Sequence, residues 1–309
     1  METSRNQQVK LEEIESAGVS LWMKREDELH PHISGNKFRK LKYNLEEAAD
    51  RGYHTLLTFG GAYSNHISAL AYAGKMKGLK TIGIIRGDEL ASRPNLVAEN
   101  PTLSFALKMD MQLEFVSREL YKSRHEEEFI ALLRERFGEF YLVPEGGTNA
   151  LAIRGCEEIL QASDQVFDYI CVAVGTGGTM TGIINSAGEG QRVLGFPSLK
   201  GEFLGKEIAN RAIRTDNWSL VNDYHFGGYA KINEKLISFI NQYYLSTTIP
   251  LDPVYTGKMM YALVDMIRNN QFEKNSRILA IHTGGLQGIE GMNIKLKKKK
   301  LPLICMGDE

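Results

Sequence analysis

The chain has 309 residues, of which 43% are hydrophobic and 24% charged, and its formal net charge is -1. That length suits about two domains or one large α/β unit, and the composition allows a packed core. The near-zero charge argues against a general nucleic-acid binder, and no apolar run approaches the roughly 20 residues that span a membrane.

Cys156, Cys171 and Cys305 have neither metal nor redox spacing, and an odd, unclustered count suits a reducing compartment. Residues Met1 to Lys10 are polar and lack the apolar core of a signal peptide. The expected location is therefore cytoplasmic.

Short β-rich runs alternate with helical patterns. Leu21 to Lys24 reads as a strand, and Phe38, Leu41, Leu45, Ala48 and Ala49 follow helical spacing as far as Gly52. Thr55 to Phe59 is a strand ending in Gly60-Gly61. Ser64 can cap a helix that runs to about Lys77 and stops at Gly78. Further strands are expected at Thr81 to Ile85, Leu113 to Val116 and Tyr141 to Val143, with a charged helix from about His125 to Phe137 before the last. Ala152 to Gln161 reads as a helix. Tyr169 to Val174 is an uninterrupted apolar run, the mark of a strand buried on both faces. A helix over Thr179 to Ala187 and strands at Arg192 to Phe196 and Ile278 to Ile281 complete the pattern. Lys295 and Lys297 to Lys300 read as a solvated terminal helix or tail. Such alternation implies parallel sheets covered by helices, with ligands beyond the carboxyl ends of the strands.

Four segments carry chemistry. Gly175-Thr176-Gly177-Gly178-Thr179 follows a strong strand and opens a helix, so its backbone N–H groups can converge on an anion; the alternative is an ordinary tight turn. A dinucleotide fingerprint would need glycine where Met180 stands, which disfavours a nicotinamide-dependent dehydrogenase. Lys37, in Ser34-Gly35-Asn36-Lys37, is a cation at a helix start, against the macrodipole. If buried there, its pKa would fall and its amine could carry an aldehyde; otherwise it is merely solvated. Ser64-Asn65-His66 after Gly60-Gly61 is either a simple N-cap or a cradle for a substrate carboxylate, with Asn65 on a cofactor ring. Val254-Tyr255-Thr256-Gly257-Lys258 is the fourth. Together they point to pyridoxal phosphate, an aldehyde that carries its own phosphate. The histidines offer no metal-binding cluster, so no catalytic metal is expected.

These motifs, in this order, resemble the fold-type II pyridoxal-phosphate enzymes, the tryptophan synthase β-like group. Within it they are similar to the branch containing 1-aminocyclopropane-1-carboxylate deaminase and D-cysteine desulfhydrase. The resemblance runs from about Leu21 to Gly288 through KRED at Lys24, SGNKxRK at Ser34, GGxxSNH at Gly60, PEGGxN at Pro144, VGTGGTxxG at Val174, a GY element at Gly228, VYTGK at Val254 and HTGG at His282. It implies two open, twisted, mostly parallel sheets with flanking helices. A large cofactor-binding domain would comprise residues 1–51 and 145–309, and a small domain residues 52–144. It implies that Lys37 binds the cofactor and that Gly175, Thr176, Gly177, Gly178 and Thr179 hold its phosphate. Asn65 would meet the ring, with Thr256 and Thr283 also on the cofactor, Thr283 near the ring nitrogen. Ser64, Asn65 and His66 would face the substrate, and Ser64, Tyr229 and Tyr255 would join Lys37 in catalysis.

The resemblance also implies a homodimer and a small amino-acid substrate. One departure bears on that substrate: the deaminase carries glutamate after its second catalytic tyrosine, where this chain has Thr256. A neutral hydroxyl favours the desulfhydrase-like side, a β-elimination giving pyruvate, ammonia and a thiol or sulfide. The deaminase is the alternative, with a racemase or dehydratase on the same cofactor after it. From another class, a cofactor-holding ligand-binding protein with little catalysis stays open.

Overall fold

The structure is a computed structural model that describes residues 3–33, 35–201 and 203–305, so Ser34 lies outside the described residues. In chain order its strands are β1 (Asn6–Val9), β2 (Ser20–Lys24), β3 (Thr55–Gly61), β4 (Lys80–Arg86), β5 (Gln112–Val116), β6 (Tyr141–Val143), β7 (Tyr169–Val174), β8 (Arg192–Pro197), β9 (Trp218–Leu220) and β10 (Arg277–Ile281). They form two sheets, a six-stranded one ordered β1-β2-β10-β7-β8-β9 and a four-stranded one ordered β5-β4-β3-β6. Every pairing is parallel except that of β1 with β2.

The apolar run at β7 forms a central strand because both faces are covered. Ile170, Val172 and Val174 point into a core with Met180, Ile183 and Leu279. Cys171 and Ala173 point to the opposite core, with Leu21, Met23 and Ile278. That second core is closed by two helices absent from the sequence reading, Glu234–Thr247 and Thr256–Arg268. They supply Leu236, Ile240, Met259, Leu263 and Ile267. The smaller sheet draws its strands from residues 55–143. Its core also takes Leu41 and Ala48 from the helix Asn36–Asp50, so packing runs across residue 51, where the domain boundary is expected.

Two boundaries shift for visible reasons. The helix expected over Ala152 to Gln161 spans Ala150–Glu157, because Asn149 caps it by accepting from the Ala152 amide at 2.9 Å, and a 3-10 turn, Ala162–Val166, follows. The terminal lysines close the helix Gly288–Lys298, where cations suit the negative end of the dipole. β1 escaped the pattern because a polar edge strand buries only Val9. Among the described residues, no helix is long and apolar enough to cross a membrane.

Candidate active site

The carboxyl ends of β3, β7 and β10 converge on one cleft. Its wall includes Lys37, Lys40, Ser64, Asn65, His66, Gly175 to Gly177, Thr179, Tyr229, Tyr255 and Thr283. The strand-end rule therefore brings together residues as distant in the chain as Lys37 and Thr283.

Lys37 is the second residue of the helix Asn36–Asp50. The residue before that helix, Gly35, has φ 62°, and a Cβ there would collide with the Thr283 carbonyl. Only glycine allows this approach. The Asn36 amide donates to the Thr283 oxygen at 3.3 Å, and its side chain donates to Thr179 Oγ1 at 2.8 Å. The lysine is thus tied to the turns after β10 and β7. Its side chain is half-buried and Nζ donates to Asn36 Oδ1 at 3.1 Å. Burial first, and the Lys40 cation second, lower its ammonium to about 7.

Lys40 lies one helical turn on and was given no role from sequence. It is 2% exposed, and Nζ donates to Thr148 Oγ1 at 2.9 Å and to the Gly146 carbonyl at 3.1 Å. Thr176 Oγ1 lies at 3.5 Å. Burial lowers this ammonium to about 8. A Cβ on Gly178 would lie 3.3 Å from Lys40 Nζ and 2.7 Å from the Thr148 methyl, so only a bare backbone fits between that cation and the helix start. The i,i+3 spacing that puts Lys37 and Lys40 on one face of the helix is the signal the sequence offers.

Ser64 does cap the helix Asn65–Lys77, accepting from the Ile67 amide at 3.4 Å, while also lining the cleft. Asn65 lies in the first turn, close against Gly285 and Gly288. His66 is 1% exposed. The Thr58 hydroxyl donates to the Val143 carbonyl at 2.7 Å, so His66 Nε2, 2.9 Å away, donates to Thr58. That leaves Nδ1 as a buried acceptor with no partner. Burial, then Lys37 and Lys40, hold the imidazole neutral, well below its ordinary pKa.

Tyr229 and Tyr255 meet edge to face across the cleft, ring centroids 6.2 Å apart. Burial and the neighbouring Tyr229 push the Tyr255 phenol well above its ordinary pKa, so it stays protonated. Thr256 differs from its expected place. It is fully buried outside the cleft wall, and Oγ1 donates to Asp252 Oδ1 at 2.8 Å. Asp252 also accepts from the Val254, Tyr255 and Thr256 amides, which fixes the start of the helix Thr256–Arg268. Thr283 is in the wall. Among the described residues no cluster of His, Cys, Asp or Glu is gathered as for a metal ion.

A phosphate-bearing aldehyde fits these residues: an amine with a pKa of about 7 stands in the cleft, and a buried cation with two threonine hydroxyls flanks the glycine turn. Residues 3–284 match the family model described as pyridoxal-phosphate dependent enzyme. A Thermotoga maritima protein provisionally named a 1-aminocyclopropane-1-carboxylate deaminase is 33% identical, with 91% of this chain and 94% of that one covered. An Arabidopsis thaliana mitochondrial protein named as a bifunctional D-cysteine desulfhydrase and 1-aminocyclopropane-1-carboxylate deaminase is 32% identical, covering 88% and 74%. A crystal structure described as an ACC deaminase homologue superposes with a TM-score of 0.80 at 29% identity, covering 96% of this chain and 93% of that one. With residues 3–284 matching that family model and its fold superposing on the homologue's, the chain belongs to the fold-type II pyridoxal-phosphate-dependent enzymes, in the branch that holds these deaminases and desulfhydrases.

Proposed function

We propose that the enzyme is a lyase for a small amino acid, with D-cysteine as its leading substrate, releasing sulfide, pyruvate and ammonia. The observation that carries this choice is Thr256. The position after Tyr255 holds a neutral hydroxyl already bonded to Asp252, so it adds no carboxylate to favour a protonated ring nitrogen. A weaker demand for ring protonation suits elimination of a thiolate better than opening of a cyclopropane.

Pyridoxal phosphate, when bound, supplies a ring that takes up negative charge developing at the substrate Cα. The remaining work belongs to the chain. Lys37, with its pKa of about 7, is both the attachment point and a base able to accept the Cα proton near neutral pH. Ser64, in the wall of the same cleft, is the second candidate for moving that proton. The first turn of the helix Asn65–Lys77 presents free amide donors, which suit the substrate carboxylate. Tyr255, held protonated, can donate to departing sulfur, with Tyr229 orienting it. Lys40, Thr148, Thr176 and the glycine turn anchor the phosphate. The two domains of the sequence reading and a homodimeric assembly belong to the same proposal.

The second reading, 1-aminocyclopropane-1-carboxylate deaminase, is favoured by the names of the relatives. Product analysis separates the two. Pyruvate and sulfide from D-cysteine, without 2-oxobutyrate from the cyclopropane, are expected. 2-Oxobutyrate as the faster product would favour the deaminase.

A further inference from the structure

Three residues at one spacing meet a single loop. Tyr255, Lys258 and Tyr261 are three apart on one face at the start of the helix Thr256–Arg268. Tyr255 meets Tyr229. Tyr261 takes the Phe226 ring edge-on, centroids 5.0 Å apart. Between them Lys258 Nζ donates to the His225 carbonyl at 2.9 Å and to the Gly228 carbonyl at 2.8 Å.

The loop has little of its own to hold it. Residues 221–231 form no helix or strand. Phe226, Gly227, Gly228 and Ala230 have φ of 53°, 94°, 116° and 52°. Phe226 and Ala230 are unfavourable in that left-handed region. Its internal bonds are short-range: the Gly228 amide donates to His225 O and the Lys231 amide to Gly228 O. Lys258 binds those same two carbonyls, so one ammonium joins the two turns, the second of which contains Tyr229. The lysine is 2% exposed, and the acceptors it has are carbonyls, not carboxylates. Burying a cation on neutral acceptors is costly, and an apolar side chain would pack there more cheaply. The helix would not need the charge; the loop does. Tyr229 itself is 46% exposed, and its ring contact is with Tyr255.

We propose that Lys258 is a positioning residue: it pins the 225–230 loop to the helix that carries Tyr255 and so sets Tyr229 across the cleft. The proposal rests on the reading above only in giving Tyr229 a part in turnover.

The test compares pyridoxal-phosphate-loaded wild type with Lys258→Met, Tyr229→Phe and the double variant. Amide exchange of a peptide spanning residues 222–231 reads the loop directly and needs no substrate. It is expected to quicken at least about tenfold in Lys258→Met, while the Gly175–Thr179 turn and cofactor affinity stay as in wild type. With D-cysteine, kcat is expected to fall about as far as in Tyr229→Phe, and adding Lys258→Met to Tyr229→Phe to change it less than about twofold. Gly228→Ala, which strains the same loop from outside the core, covers the case in which Lys258→Met does not fold. It should give the same exchange and kcat pattern. Unchanged loop exchange in a folded Lys258→Met, or full multiplication of the two kcat effects, would overturn the proposal. Should wild type leave D-cysteine untouched, the substrate reading fails and the exchange comparison still decides this one.

Discussion

Two walls of the same cleft are built on opposite principles. The Gly175–Thr179 turn is one contiguous stretch, placed by a buried central strand and closed by the start of a helix. Its donors are backbone groups, reinforced by a buried lysine from the helix facing it. The Tyr229 wall is assembled from pieces: a loop without regular structure, a helix start fixed by Asp252, and Lys258 between them. On the proposed reading the first wall holds the cofactor phosphate in one place. The second presents two tyrosine side chains, one of them half-exposed, on the side proposed for the substrate. Cofactor retention and substrate choice are thus separable in this molecule, and substitutions should separate them.

Lys37→Ala breaks both functions and should have the largest effect, a loss of about 10³-fold or more in turnover, since no other group there combines attachment with proton transfer. Activity with an added amine would not restore the wild-type rate. Tyr255→Phe should strike the substrate wall alone. A kcat lower by about 10²-fold is expected, with cofactor affinity from fluorescence titration within about threefold of wild type. Lys40→Met should do the reverse. Charge-assisted hydrogen bonds contribute roughly 1.5–3 kcal/mol, so cofactor affinity should fall about 10- to 100-fold while kcat at saturating cofactor changes little.

The depressed pKa of Lys37 has its own signature. Only the neutral amine captures an aldehyde, and the ammonium loses its proton at about 7 rather than near 10.5. Cofactor capture by apoprotein should therefore climb with pH through 7 and level off about one unit above it. A rate still rising at pH 10 would mean an ordinary, solvated lysine. The smallest effect is expected at Thr256→Val. The Asp252 carboxylate would lose one hydroxyl donor and keep its amide donors, while the Asp252 amide would lose its acceptor, a cost of about 1–3 kcal/mol in urea unfolding.

The difference between the walls also explains what the sequence made legible. The glycine turn, the Ser64 cap and the buried β7 run are local: spacing and residue type alone determine them. The placement of Tyr229 and Tyr255 came through resemblance, because nothing local links a loop at 225–230 to a helix at 256. Lys40 was passed over because its significance depends on Thr148 and Thr176, more than a hundred residues away. The resemblance puts Thr256 on the cofactor because it stands where the deaminase has glutamate, yet its side chain lies outside the cleft wall, bonded to Asp252. The apolar faces of the helices Glu234–Thr247 and Thr256–Arg268 become plain only once the sheet they cover is known.

The central claim is that Lys37, and not the neighbouring Lys40 or the more distant Lys258, carries the cofactor. Borohydride reduction of the pyridoxal-phosphate-loaded enzyme, followed by peptide mass mapping, tests it directly. The added mass is expected on the peptide at Lys37 and nowhere else. A reduced cofactor found on Lys40, on Lys258 or on no lysine would contradict the account.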